Sequence, residues 1–237
     1  MFNIALFGKR YEDTILSIEE LTEGETNACN NKLQRLGGIY NMEAVKLPGV
    51  MYTLLPSGTK EAYIISDKRR SKRTSLVVDK SSCTLSDSTI KKINLADWLH
   101  ICYIDDIECE ESLFNINVPI SIDFCTSKDR KSYTNIMEKS TIIFDSRERK
   151  LLYDGLNVTT PIIFHDEKGI EIYQNGVTLY RGDNTPISNL EVNGAGDIFA
   201  AIFIHNYTHK NHFLSADIAM RETTNHLIKR NNYEQKI

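Results

Sequence analysis

Neither sign of charge dominates this sequence, and no pairing of cysteines runs through it. Its 28 Lys and Arg against 32 Asp and Glu leave a formal charge of −4, which gives a polyanion such as nucleic acid no general footing. Five cysteines, Cys29, Cys83, Cys102, Cys109 and Cys125, are odd in number and never stand as CxxC. Neither a disulfide framework nor a structural zinc site is therefore expected, and Cys102 and Cys125, inside apolar runs, read as small core residues. Six histidines show no HExxH spacing; His205 and His209 stand four apart on one helix but lack a third ligand. No apolar run approaches the ~20 residues of a membrane-spanning helix. The opening MFNIALFGKRYEDT has no basic start, long apolar stretch or small-residue cleavage site. The expectation is a soluble, cytoplasmic protein with no nucleic-acid and no membrane partner. The one basic cluster, DKRRSKR at 67–73, has no aromatic residues interleaved and reads as a solvated hairpin tip.

What the 237 residues do contain is enough for one domain with a sizeable core, spanning 1–237. Short runs rich in β-branched and aromatic residues recur at 3–8, 62–66, 74–78, 100–104, 119–124, 141–144 and 161–165. Several are nearly continuous rather than alternating, as strands covered on both faces are. Between them, 26–36, 86–93, 128–138, 146–154, 195–208 and 213–230 have helical character. The alternation predicts an α/β/α sandwich with a mostly parallel central sheet. DTILSIEE (13–20) and the segment 51–78 depart from this and predict a small exposed β flap. Asn175-Gly176 between alternating runs predicts a hairpin.

One stretch carries chemistry: EVNGAGDIFAAIFIHNY at 191–207. A helix starts with backbone N–H groups that lack intrahelical partners and carry partial positive charge. Glycines let that backbone approach an anion without interference from Cβ. The N–H groups of Ala195, Gly196 and Asp197 are thus expected to face developing negative charge, with the Asp197 carboxylate beside them. The plainer reading is a tight turn whose aspartate is an ordinary first-turn acid. No Lys-Ser/Thr follows the glycines, so the stretch is not a P-loop. Phe199, Ile202 and Phe203 read as helix core.

NGAGDIFAA resembles the C-terminal signature of the PfkB/ribokinase family of sugar and nucleoside kinases, D-T-x-G-A-G-D-x-F. The resemblance implies a ribokinase-like fold and ATP-dependent, magnesium-assisted transfer to a sugar or related polyol. By it, Asp197 is the catalytic base and Gly194, Ala195 and Gly196 form the anion hole. LFGKRYEDTIL resembles the family's opening strand and gives Asp13 to the substrate hydroxyls. GETNACNNKLQRLGGIYNMEAVKL resembles the N-terminal signature and gives Gly37, Gly38 and Asn41 to the sugar site, although Asn41 also reads as a helix N-cap. IIFDSRERKLL stands where the family has N-x-x-E, with Asp145 at the asparagine and Glu148 at the glutamate that reaches Mg2+ through water. Glu148 also reads as part of an exposed i,i+4 charge pattern. PIIFHDEKGIEIY retains Gly169 from V-T-x-G-x-x-G. Asn193, Gly169, Asp145 and Glu148 are the residues the resemblance places toward ATP, and the flap is implied as a homodimer contact.

The sequence departs from the family pattern at several points. Glu191 and Val192 replace D-T, Phe164 and Asp166 replace the threonine and glycine near the phosphates, and 45–65 leaves no room for the usual helix–strand–helix. Three readings stay open beside a carbohydrate kinase: a nucleoside kinase, a sugar- or nucleotide-binding protein without efficient transfer, and an unrelated α/β protein. The last predicts Asp13, Asn41 and Asp197 far apart.

Overall fold

Strand β1 (Phe2–Ile18) begins with Ile4 and Leu6 facing one layer of the core and Ala5 and Phe7 facing the other. Such a strand is buried on both faces and becomes the centre of a sandwich. The computed structural model describes residues 1–70, 72–78, 81–108, 110–187, 190–207 and 211–234; Cys109 and His209 lie outside them. In chain order β1 is followed by β2 (Asn31–Gly38), α1 (Ile39–Glu43), β3 (Val50–Asp67), β4 (Lys72–Val77), α2 (Asp87–Ile93), β5 (Trp98–Cys102) and β6 (Ile120–Asp123). Then come α3 (Thr134–Lys139), β7 (Ile142–Ser146), β8 (Ile162–Asp166), β9 (Gly169–Gln174), β10 (Val177–Asp183), α4 (Ala195–Tyr207) and α5 (His212–Glu234).

The described strands form one sheet in the order β10-β9-β8-β7-β6-β5-β1-β3-β4, with β2 added to β1. From β8 to β3 the neighbours run parallel; β9, β10, β2 and β4 are antiparallel additions. Helices α4 and α5 cover one face, where Phe144, Ile163, Phe199 and Phe203 meet. Helices α2 and α3, with 3-10 turns at 130–133 and 147–153, cover the other. Helix α4 is buried without a break from Asp197 to Ile204, which is why IFAAIFI has no polar face. Helix α2 shows the opposite logic: Ser86 accepts from the Thr89 N–H, Asp87 opens the first turn, and Lys91 and Lys92 close the last. Asn175 and Gly176, at φ 52° and 80°, make the β9–β10 hairpin. No described helix is long and apolar enough to cross a membrane.

Three expectations are corrected. Segment 26–36 is not helical: from Asn31 it is strand β2, paired to β1 with Asp13 opposite Arg35. Its polar residues alternate on an exposed edge, a pattern that sparse hydrophobicity made resemble a helix. The 13–20 segment is not a separate exposed strand, because β1 runs straight into it and Ile15 and Ile18 are 1% and 4% exposed. Strand β3 accompanies β1 in parallel along its whole length, with one irregularity between Gly8 and Arg10. The flap is thus β2-β1-β3-β4, with its own small core of Tyr11, Ile15, Ala62 and Ile64. Finally, Cys125 is exposed, at the end of the β6 segment, while Cys102 is buried as expected.

Candidate active site

Ligands of open α/β sheets bind beyond the carboxyl ends of parallel strands, and here that end carries Tyr103, Asp123, Ser146, His165 and Asp166 around a cleft of about 520 Å3. The start of α4 closes its floor with Ala195, Gly196 and Asp197, and Lys72 and Arg73 of β4 reach it from the flap. The far half is lined by Leu190 and Val192 of the loop before α4 and, on helix α5, by Met220 and Leu227 with Thr223 and Thr224 between them.

Gly194 turns the chain at φ 78°, and a Cβ there would stand 2.7 Å from the Asn41 side chain. The turn needs a glycine because Asn41 lies against it. Asn41, 8% exposed, donates through Nδ2 to Oδ2 of Asp197 at 2.8 Å. It is the third residue of α1, whose N-cap is Gly38 at φ 62°, so the capping alternative is excluded. Tyr103 donates its hydroxyl toward Asp197 Oδ1 and Oδ2 at 3.1 and 3.2 Å. Asp197 is 2% exposed. Burial raises its pKa to about 6 against the donors Asn41 and Tyr103 and the Arg73 charge, which pull it down. The Ala195 N–H does not face the cleft as expected: it closes the turn onto Val192 O at 3.0 Å. The N–H groups of Gly196 and Asp197 have no backbone acceptor among the described residues.

Asp13 stands next to this constellation but faces another way. Its Oδ2 accepts from Asn193 Nδ2 at 2.9 Å, and it borders a shallower hollow with Arg10, Gln34 and Arg35. Burial raises its pKa, opposed by Asn193 and by the Arg35 and Arg73 charges. A Cβ on Gly37 would lie 2.3 Å from Asp13 Oδ2, and one on Gly38 2.5 Å from Lys9 O, so the glycine pair is fixed by crowding. Asn193 is 2% exposed; its Oδ1 accepts from Arg73 Nη1 at 2.7 Å and its carbonyl from Arg35 at 2.9 Å. It joins the flap to the turn before α4 and does not line the cleft, contrary to the role expected toward ATP.

Two other expected nucleotide-side residues are used elsewhere. Asp145 is fully buried: Oδ2 accepts from Arg130 and from the Tyr153 hydroxyl, each at 2.8 Å, and Oδ1 from Arg149 at 2.5 Å. Its carboxylate holds two arginines in place and offers nothing to a phosphate. Gly169 is required because a Cβ would fall 2.0 Å from Gly182 O on β10, which is strand packing. Glu148 does line the cleft, exposed and 3.4 Å from Lys72 Nζ.

Sequence reasoning did not reach five cleft residues. Asp123 closes β6, is 5% exposed, and has no donor among the described residues; burial and the Asp197 and Asp145 charges push its carboxyl well above the usual range. His165 stacks on Phe199 at 5.0 Å, and burial lowers its pKa to about 4, leaving a neutral ring at pH 7. Arg149 and Arg73 bring positive charge to the rim. Arg73 belongs to the cluster read as a solvated tip; that reading holds for Arg69 and Arg70, which pair with Glu20 in the open. No signal set Arg73 apart, because KRTSLV along β4 does not alternate apolar with polar residues and is exposed throughout. None existed either for Tyr103, whose place depends on a left-handed backbone.

No family model matches the sequence, and no curated protein matches it either. Solved structures do. A ribokinase from Cryptococcus neoformans var. grubii serotype A in complex with ADP shares 14% identity over 92% of this chain and 91% of its own, with TM-score 0.67. Arabidopsis thaliana ribokinase complexed with ribose and ATP shares 16% over 92% and 90%, with TM-score 0.63. A pyrophosphate-dependent kinase in the ribokinase family, complexed with a pyrophosphate analogue and myo-inositol, shares 13% over 91% and 92%, with TM-score 0.61. Sheet order, cleft and structural neighbours agree: the chain has the ribokinase-like α/β fold.

Proposed function

We propose that the chain transfers a phosphoryl group from ATP to a hydroxyl of a sugar or related small polyol, with Asp197 as general base. The observation that carries this is a buried carboxylate, oriented by Asn41 and Tyr103, at the open amino end of α4 on the floor of the cleft. Phosphoryl transfer asks little covalent work of a protein; alignment and charge neutralisation supply most of the rate. Asp197 takes the acceptor proton as its oxygen approaches phosphorus, a task suited to a carboxylate whose pKa of about 6 lies near the working pH. The N–H groups of Gly196 and Asp197 stabilise the transferring oxygens, and Arg73 and Arg149 counter the charge on the remaining phosphates. The far half of the cleft accommodates the base.

Mg2+ fits the donor set. No cluster of three or more metal-ligating side chains exists among the described residues, and magnesium needs none, because it keeps its waters and binds through one or two carboxylates and phosphates. Asp123, which has no hydrogen-bond donor among the described residues, and Glu148 would hold it, and the ion would neutralise phosphate charge. The acceptor reaches Asp197 from the flap side, where Asn41 and Asp13 stand.

Transfer from ATP with magnesium, assayed over sugars, polyols and nucleosides, tests the reading. Turnover in the native protein that falls at least about 10³-fold in Asp197→Asn supports the base; equal turnover in both removes it. A second reading, ligand binding without efficient transfer, is favoured by one observation: Asn193 bonds Asp13 and the flap arginines Arg35 and Arg73 and does not line the cleft. Thermal shift by sugars in the absence of any turnover selects it. The exposed Leu76, Val77 and Val78 at the β4 edge, 56%, 42% and 63% accessible, support pairing of two flaps in a homodimer, which sedimentation tests.

A further inference from the structure

Tyr103 is one of two non-glycine residues at positive φ among those described, at 73°. A bulky side chain reaches that region only where its surroundings enforce it, and such strain gathers at functional sites. The enforcing contacts are present. The Tyr103 ring meets Tyr11 edge-on at 5.6 Å, and Tyr11 is itself tied by its hydroxyl to Asp106 Oδ2 at 2.6 Å. The outcome is a phenol that donates across both oxygens of the Asp197 carboxylate. Asn41 reaches Oδ2 alone, so Tyr103 is the donor to Oδ1 among the described residues. Burial and the neighbouring Asp197 charge push the phenol's own pKa well above its ordinary value, so the hydroxyl keeps its proton and remains a donor.

We propose that Tyr103 is a positioning residue for the base: its hydroxyl fixes the plane of the Asp197 carboxylate and holds that group ionised for an incoming alcohol. The proposal rests on Asp197 being the base. The groups that act on that carboxylate are Asn41 from α1, Arg73 from β4, Asp13 from β1 by its charge alone, Cys102 from β5, Asp123 from β6 and Tyr103 itself. Asp13 and Asp123 disfavour the charge. Asn41, Arg73 and Tyr103 favour it, and the hydroxyl is the one donor removable without changing a side chain's shape.

The experiment follows Asp197 directly, by 13C NMR titration of protein labelled at aspartate carboxyls and assigned with Asp197→Asn. Tyr103→Phe keeps the ring on Tyr11 and deletes only the hydroxyl, so the Asp197 midpoint is expected to rise by about one unit. Site-specific 3-fluorotyrosine at 103, a stronger donor, is expected to lower it, and this second protein keeps the test open should Tyr103→Phe fold poorly. A midpoint unmoved by either change overturns the proposal and leaves Tyr103 as packing. Transfer assays on the same proteins separate the two claims. Shifted midpoints with no turnover anywhere show that Tyr103 orders the Asp197 carboxylate but remove the base it was to position, whereas turnover with fixed midpoints keeps the kinase and overturns the role of Tyr103.

Discussion

At the scale of the residue, one number ties the proposed role of Asp197 to stability. Its pKa is raised from 3.8 to about 6 in the folded chain, so the native state binds the proton more tightly than the unfolded one. Stability therefore falls as pH rises from about 4 to 6, where the unfolded chain ionises first, and is level above. Asp197→Asn removes this cost. It is expected to stabilise the protein by ~1–3 kcal/mol above pH 6 and by progressively less toward pH 4, measured by urea denaturation across that range. As the proposed base, the same group is expected to set the acid limb of kcat/KM near pH 6, since a protonated carboxyl cannot accept the acceptor's proton. Asp145 behaves oppositely. It faces the guanidinium of a fully buried Arg130, and Asp145→Asn leaves that cation undercompensated, so a loss of ~3–5 kcal/mol is expected in the same denaturation assay. These two aspartates show what was legible in the sequence. Asp197 was readable because the glycines ahead of it declare a helix start. Asp145 was assigned by its place in a motif, and the arginine that claims it comes from a segment 15 residues earlier, a distance no local pattern encodes.

At the scale of the element, apolar strands and the long helices were legible and polar strands were not. Strands β5 to β8 announce themselves because both faces are buried, and α4 because its apolar run has helical length. Strand β2 carries Lys32 and Gln34 on an exposed surface, and only its pairing with β1 makes it a strand. The glycine pair that ends it illustrates the limit further. Gly37 was expected to approach a sugar, and the nearest group is Asp13. Gly37→Ala must displace that carboxylate and is expected to cost ~1–3 kcal/mol, with Asp13 shifted in the NMR titration; an unchanged midpoint of denaturation would refute the crowding. Glycine in both motifs was readable, but whether it makes room for ligand or for protein was not, because that depends on a partner more than twenty residues away.

At the scale of the whole molecule, flap and body are fastened around Glu191. Its Oε2 accepts from Arg35 of β2 at 2.6 Å and Arg230 of α5 at 2.9 Å, while Oε1 accepts from the Asn193 N–H at 2.6 Å. The side chains are between 12% and 17% exposed, shielded enough to keep their attraction in salt. Glu191→Gln is expected to lose ~1–3 kcal/mol and to increase hydrogen exchange along β2 and at the start of α4 together. Exchange rising at only one of them would show that no fastening exists. From sequence Glu191 read only as a departure from a motif, since its two arginines come from opposite ends of the chain.

The manner in which such a molecule opens follows from the two strands that it never interrupts. Strands β1 and β3 cross from body to flap side by side, hydrogen-bonded on both sides of their irregularity at Gly8 to Arg10. A swinging lid on a loose tether is therefore closed to it. Were the flap to open for the proposed ligand, it would do so as torsion of a two-stranded ribbon about that irregularity, carrying Asp13, Arg35 and Arg73 away from the α4 turn together.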